Sequence, residues 1–240
     1  MRSFRFLLSV IVGCIVLSGC LYPESNRAGN QIPRDMQIEM VQNAVDEYRE
    51  DSDGLLPIRT LEGQREYLEY QIDFTALIPN YLEQRPDNAY ESGGNYQYVI
   101  VDAEDDPKVK LADLRITDEV RSLTIRLNAF GESVQLGEPI GPNVYPLDLN
   151  FYKFDENPTV TSPYTSSTLN VYYNGGQEFI VDYREDIGKI IEENGLEFET
   201  GEDVRHVLYE YTPIVPIYSP EITVDEENMP IFMTNRHKSD

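Results

Sequence analysis

The sequence predicts an α+β fold: two tandem repeats, each a helix laid on a small antiparallel sheet, after a signal peptide and a short tether. Three observations predict it. Apolar residues recur at helical spacing over 36–48 and again over 120–127, each time ahead of stretches that alternate apolar and polar residues. A seven-residue pattern, Asn-x-Tyr-x-x-Gly-Gly, stands at 88–94 and again 82 positions later at 170–176. A hydrophobic content of 40% with 17 tyrosines suits a folded chain. The two cysteines, Cys14 and Cys20, both precede the repeats, so that fold must rest on packing without disulfides.

The chain divides into a signal peptide (1–19), a tether (20–34), a first repeat (35–115), a second (116–190) and a C-terminal extension (191–240) with a Pro-rich strand and a polar tail. Arg2 and Arg5 precede an apolar run from Phe6 to Leu17, broken only by Ser9 and Gly13. That run is shorter than the ~20 residues a membrane span needs. Leu17-Ser18-Gly19-Cys20 follows. These four residues resemble the lipobox of bacterial lipoproteins. The resemblance implies that the Cys20 sulfur carries a diacylglyceryl group, that cleavage leaves Cys20 first, and that the protein is held at the outer face of the cytoplasmic membrane. Two acyl chains anchor stably where one is marginal. The polar stretch Leu21 to Pro33, with Pro and Gly, reads as a tether.

In the first repeat a helix is expected from Asp35 as N-cap, burying Met36, Met40, Val41, Ala44, Val45 and Tyr48, and ending at Asp53-Gly54. Leu68, Tyr70, Ile72 and Phe74 alternate with polar residues as a half-buried strand, and Tyr96 to Val101 follows the Gly93-Gly94 turn as another. In the second repeat, Val120, Leu123 and Leu127 form the helical stripe. Leu147, Leu149 and Phe151 alternate as a strand, and Phe179 to Val181 answers Tyr98 to Val101. Glu185 to Glu193 reads as helical, and Val204 to Tyr211 as a strand or short helix. Pro213, Pro216 and Pro220 then punctuate an extended stretch suited to a sheet edge.

Two further resemblances rest on particular residues. Leu-Tyr-Pro after Cys20, Val41-Gln-Asn-Ala-Val-Asp-Glu-Tyr48 and Gly54-Leu-Leu-Pro57 resemble the YphF-type uncharacterised lipoproteins of Bacillus-like bacteria, which implies a location and brings no activity. The helix, its Gly-Leu-Leu-Pro exit and Leu77-Ile-Pro79-Asn-Tyr81-Leu82 resemble the globular part of pilins and pseudopilins over residues 36–101, without the long apolar N-terminal helix of that family.

Charge narrows the partners. Acids outnumber bases 43 to 19, a net charge of −24 that becomes −26 once Arg2 and Arg5 leave with the signal. Such a domain does not hold nucleic acid or anionic head groups by charge. Asp51-Ser52-Asp53-Gly54 fails as an EF-hand because Arg49 and Thr60 fall where carboxylates are required. Asp102-Ala-Glu104-Asp105-Asp106 is equally well a charged turn. His206 and His237 are the only histidines, which leaves no basis for a transition-metal site or a His-activated nucleophile, and no phosphate-cradling Gly-rich motif occurs. No catalytic residue, metal or cofactor is assigned. Tyrosine, flat and apolar with a polar tip, is the remaining candidate for contact: Tyr90, Tyr96, Tyr98, Tyr172 and Tyr173 form the expected binding surface. The expected function is a lipid-anchored, non-enzymatic interaction or scaffold module at the membrane–wall interface, with a protein or small-molecule partner. A solute-binding lipoprotein serving an ABC-type transporter is the alternative.

Overall fold

Residues 34–51 contain no proline or glycine, and their apolar positions fall on one stripe, so they form a single helix, α1 (Arg34–Asp51). The fold is described from a computed structural model over residues 34–60, 63–131, 133–175 and 178–234. The expected signal peptide, Leu17, Ser18, Gly19, Cys20 and the expected tether up to Pro33 lie outside the described residues, as do Gly176 and His237. Helix α1 begins at Arg34, which puts Asp35 inside the first turn and not at the cap. Its buried stripe is Gln37, Val41, Ala44 and Val45. Met36 and Met40 sit about 100° away from it and are exposed. Gln42 fastens the helix to the sheet: Val109 N–H donates to its Oε1 at 2.7 Å, and its Nε2 donates to the Pro107 carbonyl at 3.1 Å.

The first sheet is antiparallel, in the order β1 (Ile58–Thr60), β2 (Tyr70–Ile72), β3 (Tyr96–Val101), β4 (Lys108–Asp113). The β3–β4 pair is its longest ladder, running from Tyr96↔Asp113 to Val101↔Lys108. Strand β2 is shorter than its alternation suggests. Asp73 accepts the Thr75 N–H and caps a short helix, α2 (Phe74–Leu77), so Phe74 packs from a helix. Phe74, Tyr98, Ile100 and Leu111 close with Val41 and Val45 into one core.

Helix α3 (Leu114–Asn128) leaves β4 through Asp113 and buries Ile116, Val120, Leu123 and Leu127. The second sheet centres on β7 (Thr168–Asn174), which pairs antiparallel with β5 (Val144–Tyr145), β6 (Thr159–Thr161) and β8 (Phe179–Val181). Leu149 and Phe151, expected in a strand, belong instead to a helical turn, α4 (Leu149–Tyr152), because Asp148 accepts the Phe151 N–H and caps it. Then come α5 (Arg184–Asn194), α6 (His206–Tyr211) and the hairpin of β9 (Ile222–Val224) with β10 (Pro230–Phe232). The α+β class is therefore what the chain adopts. Among the described residues no helix is long and apolar enough to cross a membrane.

The offset of 82 does not align equivalent elements. Asn88 to Gly94 is a turn ahead of β3, where Asn88 Oδ1 accepts the buried Tyr98 hydroxyl at 2.8 Å and Gly94 has no room for a Cβ against the Asn88 carbonyl. Asn170 to Gly175 is strand β7 and its exit, with Asn170 exposed and paired with Thr159. Likewise Tyr98–Val101 lies in the first strand of its hairpin and Phe179–Val181 in the second strand of the other. What does recur is a hairpin leading through Asp-x-Arg into a helix: β3–β4, Asp113 to Arg115, α3, and β7–β8, Asp182 to Arg184, α5. In both, the Asp carboxylate takes the backbone N–H and the guanidinium of the Arg two residues on.

The proline-punctuated stretch after α6 runs along both sheets as a strap. Leu111 N–H donates to the Pro213 carbonyl at 2.8 Å, and Val215 N–H donates to the Leu111 carbonyl at 2.9 Å, covering the outer edge of β4. Five residues later Val181 N–H, on β8, donates to the Tyr218 carbonyl at 2.9 Å. Two tyrosines satisfy carbonyls between these points, half-buried Tyr164 at Ile214 (3.2 Å) and buried Tyr183 at Ile217 (3.0 Å).

Candidate functional site

The five expected tyrosines do not make one surface. Tyr98 is wholly buried, its ring edge-on to Phe74 at 5.5 Å, and burial raises its pKa. Tyr90 is exposed in the turn before β3, and Tyr96 lies half-buried beside Arg115. Tyr172 and Tyr173, in the second sheet, pack against Phe232 and Phe179. Alternation along a strand sends Tyr96 and Tyr98 to one face, and α1 covers most of that face. The acidic stretches also disperse: Asp51 ends α1, and Asp102 to Asp106 is the β3–β4 turn. No group of three or more His, Cys, Asp or Glu among the described residues is placed to hold a metal ion.

The structure instead builds a crevice that no local sequence pattern announces. It lies where three distant segments meet: the β1–β2 loop (63–67), the ends of the second sheet around Asn143, Asn174 and Glu178, and the strap with the end of β10 (216–221, Phe232). Its volume is about 380 Å³, within the range of small-ligand sites. Arg65 spans it. The guanidinium lies 4.3 Å over the Tyr218 ring, and Nη1 is 3.3 Å from Glu178 Oε2.

Behind Arg65 stands Arg205, 4% exposed, at the start of α6. Asp203 takes its backbone N–H at 3.1 Å and its Nε at 2.9–3.0 Å, in the third occurrence of the Asp-x-Arg arrangement. From the first sheet's loop, Glu66 receives Nη1 at 2.7 Å and Nη2 at 3.2 Å. Burial opposes the Arg205 charge, but its bonds to Asp203 and Glu66 outweigh this and hold its pKa above the ordinary arginine value. Tyr67 packs edge-on to Tyr209 at 5.7 Å, and its pKa is raised by burial. Glu66 and Tyr67 also line a second cavity, of about 430 Å³, on their other side, with Tyr70, Asp102, His206 and Tyr209. Burial pushes the Tyr209 pKa up to about 12.

Three crevice residues hold left-handed backbone angles: Tyr67 at φ 67°, Asn143 at 59° and Tyr218 at 66°. Asparagine tolerates this region, whereas an aromatic residue there is uncommon and costs of order 1 kcal/mol or more. Such strain concentrates at ligand clamps and functional sites. Neither tyrosine is marked by local sequence; among the described tyrosines Tyr67 and Tyr218 stand apart by their positive φ. Away from the crevice, Asp186 is 1% exposed and accepts from Ser162 Oγ (2.9 Å) and Thr165 Oγ1 (2.7 Å). This pins the β6–β7 turn to α5.

No curated protein and no solved structure matched the chain. The family comparison did give a match, and it covers α1 and the whole first sheet, including the loop that carries Arg65, Glu66 and Tyr67 into the crevice: residues 34–113 match the model of the YphF family N-terminal domain.

Proposed function

We propose that this chain is a lipid-anchored extracytoplasmic binding module, working without catalysis at the membrane–wall interface. The observation that carries the reading is Leu17-Ser18-Gly19-Cys20 directly after a short, Arg-flanked apolar run, with no cysteine beyond it. The signal is spent on export, Cys20 takes the diacylglyceryl group, and the 14 residues from Cys20 to Pro33 let the folded part stand up to ~50 Å from the bilayer. With its net charge of −26 once the signal is removed, the protein is repelled from anionic head groups, so the lipid is the attachment and the protein surface faces outward. Metabolic labelling with palmitate, with membrane fractionation and in-cell crosslinking, tests this in wild type and Cys20→Ser. Label and membrane retention in wild type, both lost in Cys20→Ser, support it. An unlabelled chain, or a variant that stays with the membrane, sinks it.

The crevice favours a second reading, in which the module binds a small solute on behalf of a transporter. A concave, strained, polar and aromatic cleft between distant segments suits a small ligand better than it suits a flat protein contact. A ligand-dependent rise in melting temperature is the corresponding test.

A further inference from the structure

We infer that the crevice between Tyr67 and Tyr218 takes a neutral, polyhydroxylated ligand, that is, a saccharide; this rests on reading the crevice as a ligand site. Its charge selects against anions. Arg65 is paired with Glu178, and Arg205 is shared by Glu66 and Asp203, so with Glu221 at the rim the carboxylates outnumber the guanidiniums. A phosphate or carboxylate would meet two cations already paired and, at the rim, Glu221. A lipid would need an apolar lining, whereas this one exposes more polar than apolar surface.

What remains matches the needs of a sugar ring. Vicinal hydroxyls each donate and accept, and planar amide, carboxylate and guanidinium groups meet them in pairs. Asn143, Asn174, Glu178 and Arg65 bring such groups to the cleft. Asn174 Oδ1 is occupied by the Glu178 N–H at 2.9 Å, which leaves its Nδ2 to donate. Guanidiniums lie over the rings of Tyr218 (Arg65, 4.3 Å) and Tyr67 (Arg205, 5.7 Å), so the planar polar groups carry the recognition and the tyrosines form the walls. Because both tyrosines and Asn143 are set by their backbone angles, the site is formed before the ligand arrives, which lowers the ordering cost of binding. Gly175 is part of the design, because a Cβ there would lie 2.2 Å from Asn143 Oδ1.

Calorimetric titration of the full-length chain in detergent with cellotetraose and with the N-acetylglucosamine tetramer tests the inference, with tetralysine and inorganic phosphate as charged counterparts. Two variants report on location. Asn143→Gly removes the amide while suiting the positive φ, and Gly175→Ala pushes Asn143 aside. The expected result is binding of at least one tetrasaccharide and neither charged probe, weakened tenfold or more in both variants. The tetramer preferred then separates plain hydroxyl recognition from acetamido recognition. Absence of heat with both tetrasaccharides at millimolar concentration, preference for tetralysine, or equal binding by wild type and variants each overturns it. None of these bears on palmitate labelling or on the Cys20→Ser comparison, so the anchored-module reading fails or stands separately.

Discussion

Arg205 keeps a full charge at 4% exposure because two carboxylates from opposite sides share it, one local (Asp203) and one from the first sheet's loop (Glu66). Removing a partner strands a buried guanidinium, which costs more than the pair itself is worth. Asp203→Ala, which deletes the bonds to Nε and to the backbone, is expected to cost about 3 kcal/mol in denaturant unfolding. Glu66 is mostly exposed, and Glu66→Gln, which keeps one acceptor, is expected to cost about 1 kcal/mol. Equal losses would mean that Arg205 draws its support elsewhere. Asp186 gives a prediction in pH. Burial raises its pKa above 3.8, against the lowering effect of the Thr165 and Ser162 hydroxyls. The native state therefore holds this proton to higher pH than the unfolded chain does. Its contribution is present below 3.8 and is lost as pH rises through the raised value. Asp186→Asn should remove that portion of the pH dependence, so that the difference between wild-type and variant stability changes sharply across the acid range. A constant difference would show that Asp186 is not perturbed.

The strap shows at the level of elements why some structure is legible and some is not. Prolines at 213, 216 and 220 exclude a central strand, and the segment runs along two edges, using the carbonyls of Pro213 and Tyr218, which need no N–H of their own. Tyr183→Phe removes the hydroxyl from the Ile217 carbonyl and is expected to cost about 1–2 kcal/mol. It should also speed amide exchange at Val181, next to the strap; unchanged exchange there would mean that the hydroxyl does not hold the strap. Helices α1, α3 and α5 were readable because a one-sided stripe survives any tertiary context. Strand β4 was not, since Lys108-Val-Lys-Leu-Ala-Asp113 follows an acidic turn and buries a face that only β3 and the strap define. Asp73 and Asp148 each turned an apparent strand continuation into a helix start by capping it, a signal that was present in the sequence but is easily lost among 43 acids. The crevice was illegible for a different reason. Arg65 and Glu178 are 113 positions apart, and nothing short of the fold puts them together.

Over the whole molecule the acidity is the largest long-range force. A net charge of −24 on a folded chain repels itself, and salt relieves that repulsion. Melting temperature should rise by about 2–4 °C, or roughly 1 kcal/mol, between low salt and physiological ionic strength or above. A flat or falling response would show that local ion pairs such as Arg205–Glu66 dominate the balance. The strap also orders events in time. Each sheet keeps an open edge until residues 213–218 arrive, so a chain emerging N-terminus first exposes the outer edge of β4 and later that of β8 while the remainder follows. In a chain exported as proposed, the early segments arrive outside before the last ones, and the interval between them is a window for proteases and for strand-to-strand aggregation. Closing that window depends on the final fifth of the chain, so a product truncated before Pro213 would be expected to be degraded and not to accumulate.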